Sequence, residues 1–145
     1  MYEIIHTDAY ILNDREEGEE SKVFLIFSRE LGLCSVHAQS IRRQTSKMKS
    51  VLQPGNKVFM DIVIGKKIKR ATTVLPHSSF LSLFKDKAKK HVFIDTLLLL
   101  TQLIPRNIQV VEIFDEYDRF IEHLKTSSGL LNIQYAECIF VLRLL

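Results

Sequence analysis

Residues 58–74, VFMDIVIGKKIKRATTV, decide how the front of this chain folds. Val58, Met60, Ile62 and Ile64 alternate with Phe59, Asp61 and Val63, the period of a strand with one face against a core. Gly65-Lys66 suits a two-residue reversal, and Lys67 to Val74 then reads as the returning strand. Working back toward the start, Lys22 to Ser28 is almost continuously apolar, as in a strand buried on both faces, and Tyr2 to Leu12 is rich in β-formers. Leu33 to Ala38 resumes a strand after the turn Arg29-Glu30-Leu31-Gly32, in which Gly32 can take the positive φ that a tight reversal requires. About five strands therefore precede position 75, the strand count of an OB-fold barrel. Strict alternation leaves one conflict: if Ile68 points inward, so does Arg70, unless the strand carries a bulge or ends early.

Two polar stretches interrupt the strands. Asn13 to Glu20 is a hairpin tip whose five carboxylates lack EF-hand spacing and read as a solvated loop. Gln39 to Ser50 has neither a strand nor a helix period, and reads as a long polar loop or a short irregular helix.

From Pro76 the period changes. Ser78 or Ser79 can cap a helix through Phe80, Leu81, Leu83 and Phe84, and Val92 to Ile104 is a second apolar helix stopped by Pro105. Ile108 to Lys125 places Val111, Phe114, Tyr117, Ile121 and Leu124 at helical spacing and leaves Glu112, Glu116, Arg119 and Glu122 for water. Leu130 to Leu145 is apolar nearly all round. Such a helix needs cover on several sides, so it is expected either to lie at the centre of a helical layer or to be followed by more chain. The expected architecture is α+β: a five-stranded OB-fold barrel over residues 1–75, then a segment of about four helices over 76–145, the latter incomplete at its C-terminus.

With 145 residues, 46% of them hydrophobic and 26% charged, the chain has the composition of a folding globular domain. The apolar run Thr96 to Ile104 is far short of the roughly 20 residues a membrane span needs, and Glu3 and Asp8 stand where a secretory signal would be basic. A cytoplasmic protein without a membrane partner is expected. Cys34 and Cys138 are too far apart in sequence to suggest a zinc site and read as ordinary thiols.

Net charge is only +3, yet its distribution is uneven. Residues 1–36 hold eight acids against Arg15, Lys22 and Arg29, while residues 37–73 hold nine cations against Asp61 alone; residues 74–145 balance. Local field rather than total charge decides what a surface attracts, so the middle segment is a candidate polyanion site.

The segment from Ser21 through Phe24-Leu25-Ile26-Phe27-Ser28-Arg29-Glu30-Leu31-Gly32-Leu33 resembles the RecO family of bacterial DNA-repair proteins, in which an apolar strand closes on a Thr/Ser-Arg-Glu-x-Gly-Leu turn. The resemblance continues through Ser35-Val36-His37-Ala38, the pair Arg42-Arg43, Ser46-Lys47-Met48 and Leu52-Gln53-Pro54. It covers residues 1–75 well and the helical remainder loosely, through Phe93 to Leu103 and Phe140 to Leu145. Gln39-Ser40 stands where the family usually has Lys-Gly, and Gly55 where an aromatic residue is common. The four-cysteine zinc module that many members carry after the helices is not in this sequence, which suggests a shortened form. The resemblance implies a nucleoid-associated recombination mediator that anneals strands and supports recombinase loading at gaps. It also implies that the helical segment binds a RecR-like partner and the acidic, apolar C-terminal tail of single-stranded-DNA-binding protein.

A surface that grips DNA without reading its sequence needs cations spaced to follow phosphates, because counterion release supplies most of the affinity. Arg42, Arg43, Lys47 and Lys49 meet that need within eight residues, with Ser46 and Ser50 as short donors. Lys66, Lys67, Lys69 and Arg70 form a second cluster, which reads equally as a charged edge that discourages aggregation. Only Phe59 brings an aromatic ring between positions 28 and 79, so backbone contact should dominate, with binding to both single- and double-stranded DNA. On the helical side, Lys85, Lys87, Lys89 and Lys90 beside Phe80, Leu83 and Phe84 are candidates for receiving an acidic tail. A catalytic reading would have to use His91 with Asp95, or Asp115, Glu116 and Asp118; no third ligand, nucleophile elbow or phosphate-binding glycine loop accompanies them, so no enzyme, metal or cofactor is expected. The rival to DNA binding is a protein-interaction adaptor whose barrel no longer holds DNA.

Overall fold

The computed structural model describes residues 2–39, 48–79, 85–126 and 128–144. Five strands, β1 (Glu3–Glu17), β2 (Ser21–Ser28), β3 (Gly32–Ala38), β4 (Asn56–Ile64) and β5 (Lys69–Ser79), close into a barrel in the order β1-β2-β3-β5-β4. A four-residue helix, α1 (Met48–Val51), precedes β4, and α2 (Lys87–Leu103), α3 (Val111–Thr126) and α4 (Leu130–Leu144) follow the barrel. The fold class is the expected one.

Closure depends on β1 serving two neighbours. Glu3 to Tyr10 pairs with β4 and Ala9 to Glu17 with β2, the register shifting between Ile11 and Asn13. An extra residue in one strand bends it and raises its twist, which lets a single strand turn the corner. Alternation then sorts the side chains. Ala9, Ile11, Phe24, Ile26, Cys34, Val36, Val58, Met60 and Ile62 fill the barrel, with Leu52 beyond α1 joining them. Tyr10, Leu25, Phe27 and Leu33 point out of the barrel and are buried with Phe93, Phe114, Tyr117, Ile121 and Phe140 of the helices. The continuous apolar run of β2 is thereby explained: one parity serves the barrel interior and the other the helical layer.

The turn at Gly32 has φ +72°, and a Cβ there would lie 1.9 Å from the Ile108 carbonyl oxygen. The loop before α3 presses against this glycine, with the Asn107 N–H donating to the Leu33 carbonyl at 2.8 Å.

The second hairpin differs from expectation. The reversal takes four residues, Gly65 to Ile68, closed by the Gly65 N–H donating to the Ile68 carbonyl at 3.0 Å. Ile68 therefore belongs to the turn, and β5 starts at Lys69. Arg70 pairs with outward-facing Val63 and shares its face, which removes the parity conflict; Thr72 is then the unpaired residue where the register shifts, before Thr73 pairs with Asp61.

β5 also runs past Pro76 to Ser79, so Ser78 and Ser79 pair with Lys57 and Asn56 instead of capping a helix. Among the described residues β5 pairs with β3 only at Arg70, and a strand with so little pairing on one side tolerates a residue without an N–H. Residues 80–84, where the first expected helix falls, lie outside the described residues. The cap belongs to Asp86, whose carboxylate accepts from the N–H groups of Ala88 and Lys89, so α2 begins earlier than the apolar run suggested. It ends at Leu103, with Ile104 as the extended C-cap before Pro105. In α3 the expected stripe of Phe114, Tyr117, Ile121 and Leu124 is buried, with Phe120 added, and the helix starts at Val111 where 108 was expected. α4 buries Ile133, Ala136 and Phe140, while Leu131, Tyr135 and Leu142 remain exposed.

Candidate nucleic-acid interface

The two basic clusters have different standing. Arg42, Arg43 and Lys47 lie outside the described residues, but both ends of the connection that carries them are placed. Gln39 follows β3, whose His37 pairs with Arg70 at the start of β5. At the other end, the Val51 carbonyl closing α1 accepts from the Asn56 side chain at 3.0 Å, where β4 begins. From that point β4 runs nine residues to Ile64, beside the Gly65 turn, about 26 Å of strand. Lys49 is exposed on α1, so it and the 66–70 cluster occupy opposite ends of β4, with the connection starting beside one and finishing beside the other.

Lys66 and Lys67 sit exposed at the hairpin tip and Arg70 is exposed on the outer barrel face. Among the described residues, no carboxylate comes within ion-pair distance of these three. Lys69 differs: it is half-buried and its ammonium donates to the Asn107 side-chain carbonyl at 3.0 Å, which fastens the hairpin to the loop before α3. Around the hairpin, Tyr2, Val63 and Ile68 join the three cations in lining a hollow of about 560 Å3.

Lys57, which contributed to the basic segment in sequence, takes no part in such a surface. It is buried, 2.7 Å from Asp118 of α3 and 5.8 Å from the centroid of the Tyr10 ring. The Tyr10 hydroxyl donates to the same carboxylate oxygen, and burial, reinforced by that carboxylate, pushes the phenol far above its ordinary pKa. A second clasp lies nearby: Arg29 donates from Nε and Nη2 to the two oxygens of Asp115 at 3.0 and 3.3 Å, which holds the guanidinium still more firmly protonated. Glu116 pairs with Arg119 at 3.0 Å and Arg143 at 3.4 Å. The three carboxylates considered for catalysis are thus each held by cations. His91 and Asp95 form an exposed pair at 3.1 Å on α2. Among the described residues, no group of three His, Cys, Asp or Glu side chains could hold a metal ion, and no helix is long and apolar enough to cross a membrane.

Sequence reading missed one partner-sized feature on the helical side. Between α3 and α4, Phe120, Ile139 and Phe140 floor a pocket of about 290 Å3 rimmed by Arg119, His123 and Arg143. No local motif announces it, because its two walls come from separate helices. Lys85, Lys87 and Lys90 are exposed near the start of α2, whereas Lys89 is half-buried and donates to the Lys125 carbonyl at 3.2 Å. Phe80, Leu83 and Phe84, expected beside them, lie outside the described residues.

The family described as Recombination protein O N terminal matches residues 1–80. The DNA repair protein RecO of Desulfitobacterium hafniense is 29% identical over 83 residues, covering 57% of this chain and 30% of its own length. The DNA repair protein RecO of Heliobacterium modesticaldum is 28% identical over 83 residues, with the same coverage. That of Salinibacter ruber is 29% identical over 101 residues, covering 70% of this chain and 38% of its own. The aligned stretches thus span about a third of the length of these relatives. A barrel of this topology, and a family match over more than half of the residues, establish that the chain belongs to the RecO family through its N-terminal domain.

Proposed function

We propose that this chain binds single- and double-stranded DNA through phosphate contacts and serves as the DNA-engaging part of a recombination mediator in repair. One observation carries the reading: Lys66, Lys67 and Arg70 are exposed and unopposed by acid among the described residues, at the end of the barrel from which the Arg42, Arg43 and Lys47 connection departs. Family membership supports it, since the relatives bear the name of a DNA repair protein. On this reading the barrel, which reaches Ser79 where a boundary at 75 was expected, holds DNA and the helices after it receive protein partners, the two parts sharing the apolar cluster around Tyr10 and Tyr117. Strand annealing, recombinase loading, engagement of a RecR-like partner and a nucleoid-associated, cytoplasmic location belong to the same proposal, as does a role without catalysis.

The test is titration of labelled oligonucleotides at several salt concentrations. With about four phosphates engaged, log K against log salt should fall with a slope near −3 on single strands. Arg42→Ala/Arg43→Ala and Lys66→Ala/Lys67→Ala should each weaken binding to both forms of DNA and flatten the slope. Wild-type affinity in both variants, or a flat slope in the unaltered protein, refutes the reading.

The adaptor alternative draws on the pocket between α3 and α4, where an apolar floor lies beside Arg119 and Arg143. An acidic, apolar tail such as that of single-stranded-DNA-binding protein fits this chemistry: a carboxylate would compete with Glu116 for the guanidinium groups while an apolar side chain lay against Ile139 and the edge of the stacked Phe120 and Phe140 rings. Tail-peptide binding that Arg143→Ala abolishes, in a protein with no affinity for DNA, would favour the adaptor.

A further inference from the structure

We propose that the hollow beside the second hairpin receives one unpaired base of a single strand, so that this end of the barrel distinguishes single-stranded from duplex DNA. The inference rests on the DNA-binding reading and adds a base contact to it.

Glu3 pairs with Ile64, which sets Tyr2, far from the basic segment in sequence, beside the Gly65 turn. Val63 faces outward between Ile4 on one side and Arg70 on the other. The four-residue reversal leaves Ile68 out of the strand and half-buried in the turn, with Lys66 and Lys67 beyond it. The result is a hollow of about 560 Å3 with an apolar floor, Tyr2 beside it 69% exposed, and a rim of three cations.

Phosphate contact alone accounts for the rim and not for the floor. A duplex keeps its base faces stacked and offers only their edges in the grooves, whereas a single strand can offer a base face to a ring while its phosphates meet lysine and arginine. The volume lies in the range of small-molecule sites. Charge complementarity selects the occupant: cations unopposed by acid among the described residues, beside an exposed aromatic face, fit a nucleotide.

The experiment measures anisotropy of labelled oligothymidylate, an equally long abasic strand and a duplex. Tyr2→Ala is expected to weaken oligothymidylate binding about tenfold, to leave duplex and abasic binding unchanged, and to be rescued by Tyr2→Phe, which keeps the ring. Ile68→Ser should act in the same direction. Because Tyr2 is so exposed, its removal should not disturb folding, which the melting curve checks. Equal binding of oligothymidylate and abasic strand by the wild-type protein, or an unaltered affinity in Tyr2→Ala, overturns the inference. If that happens while Lys66→Ala/Lys67→Ala still weakens all three ligands, the base site alone is lost; if the lysine and arginine variants also have no effect, the DNA-binding reading goes with it.

Discussion

Asp118 should matter more to stability than Lys57, although the two form one ion pair. Lys57 is 5% exposed, its ammonium lies 2.7 Å from Asp118, and the Tyr10 hydroxyl donates to the same oxygen. Asp118→Ala therefore strands two donors at once, one of them charged and buried. Breaking a fully buried pair costs about 3–5 kcal/mol, and because the Asp118 side chain is 31% exposed, so that water reaches the gap, about 2–3 kcal/mol is expected here. Lys57→Met keeps the apolar stem and removes the ammonium, leaving a carboxylate that is still bonded to Tyr10 and partly solvated. About 1 kcal/mol follows. At about 3 °C per kcal/mol for a chain of this size, Asp118→Ala should lower Tm by about 6–9 °C and Lys57→Met by about 3 °C. Thermal and urea unfolding followed by circular dichroism would measure both. If the two losses are equal, or the lysine variant is the weaker protein, this clasp does not stabilise the junction of barrel and helices as argued.

Gly32→Ala should destabilise by at least about 2 kcal/mol, since it forces a side chain into a positive φ and against the Ile108 carbonyl; a variant with wild-type urea resistance would contradict that contact. Tyr10 has a folded-state pKa raised above its unfolded value, so the stability it contributes is complete below about pH 10 and is lost as pH rises beyond. Tyr10→Phe should accordingly flatten the alkaline fall in stability, and an unchanged slope would refute the assignment. Cys138 is exposed, while Cys34 is buried in the barrel and its thiol is pushed up by that burial. One thiol should react with an aromatic disulfide in the folded protein and the second only on unfolding; two fast thiols would mean that the barrel opens.

The elements that follow from local period were legible without coordinates. The parity of β4, the doubly buried β2, the stripe of α3 and the glycine turn after Ser28 each depend on neighbours a few residues away, and residue type alone carries that information. Charge segregation was legible in the same way, because it is a property of the chain. Where the cations end up is not. Lys57 leaves the basic surface because α3 brings Asp118 from 61 positions away, and Asp115, Glu116 and Asp118 are occupied by Arg29, Arg119 with Arg143, and Lys57 for the same kind of reason. The side on which Arg70 emerges depends on where β5 starts, a matter of how the four-residue turn closes. Tyr2 meets the hairpin only through the pairing of β1 with β4. Periodicity reports which face of an element is apolar; which faces then meet is decided by chain closure over long separations, and the candidate site is made from those meetings.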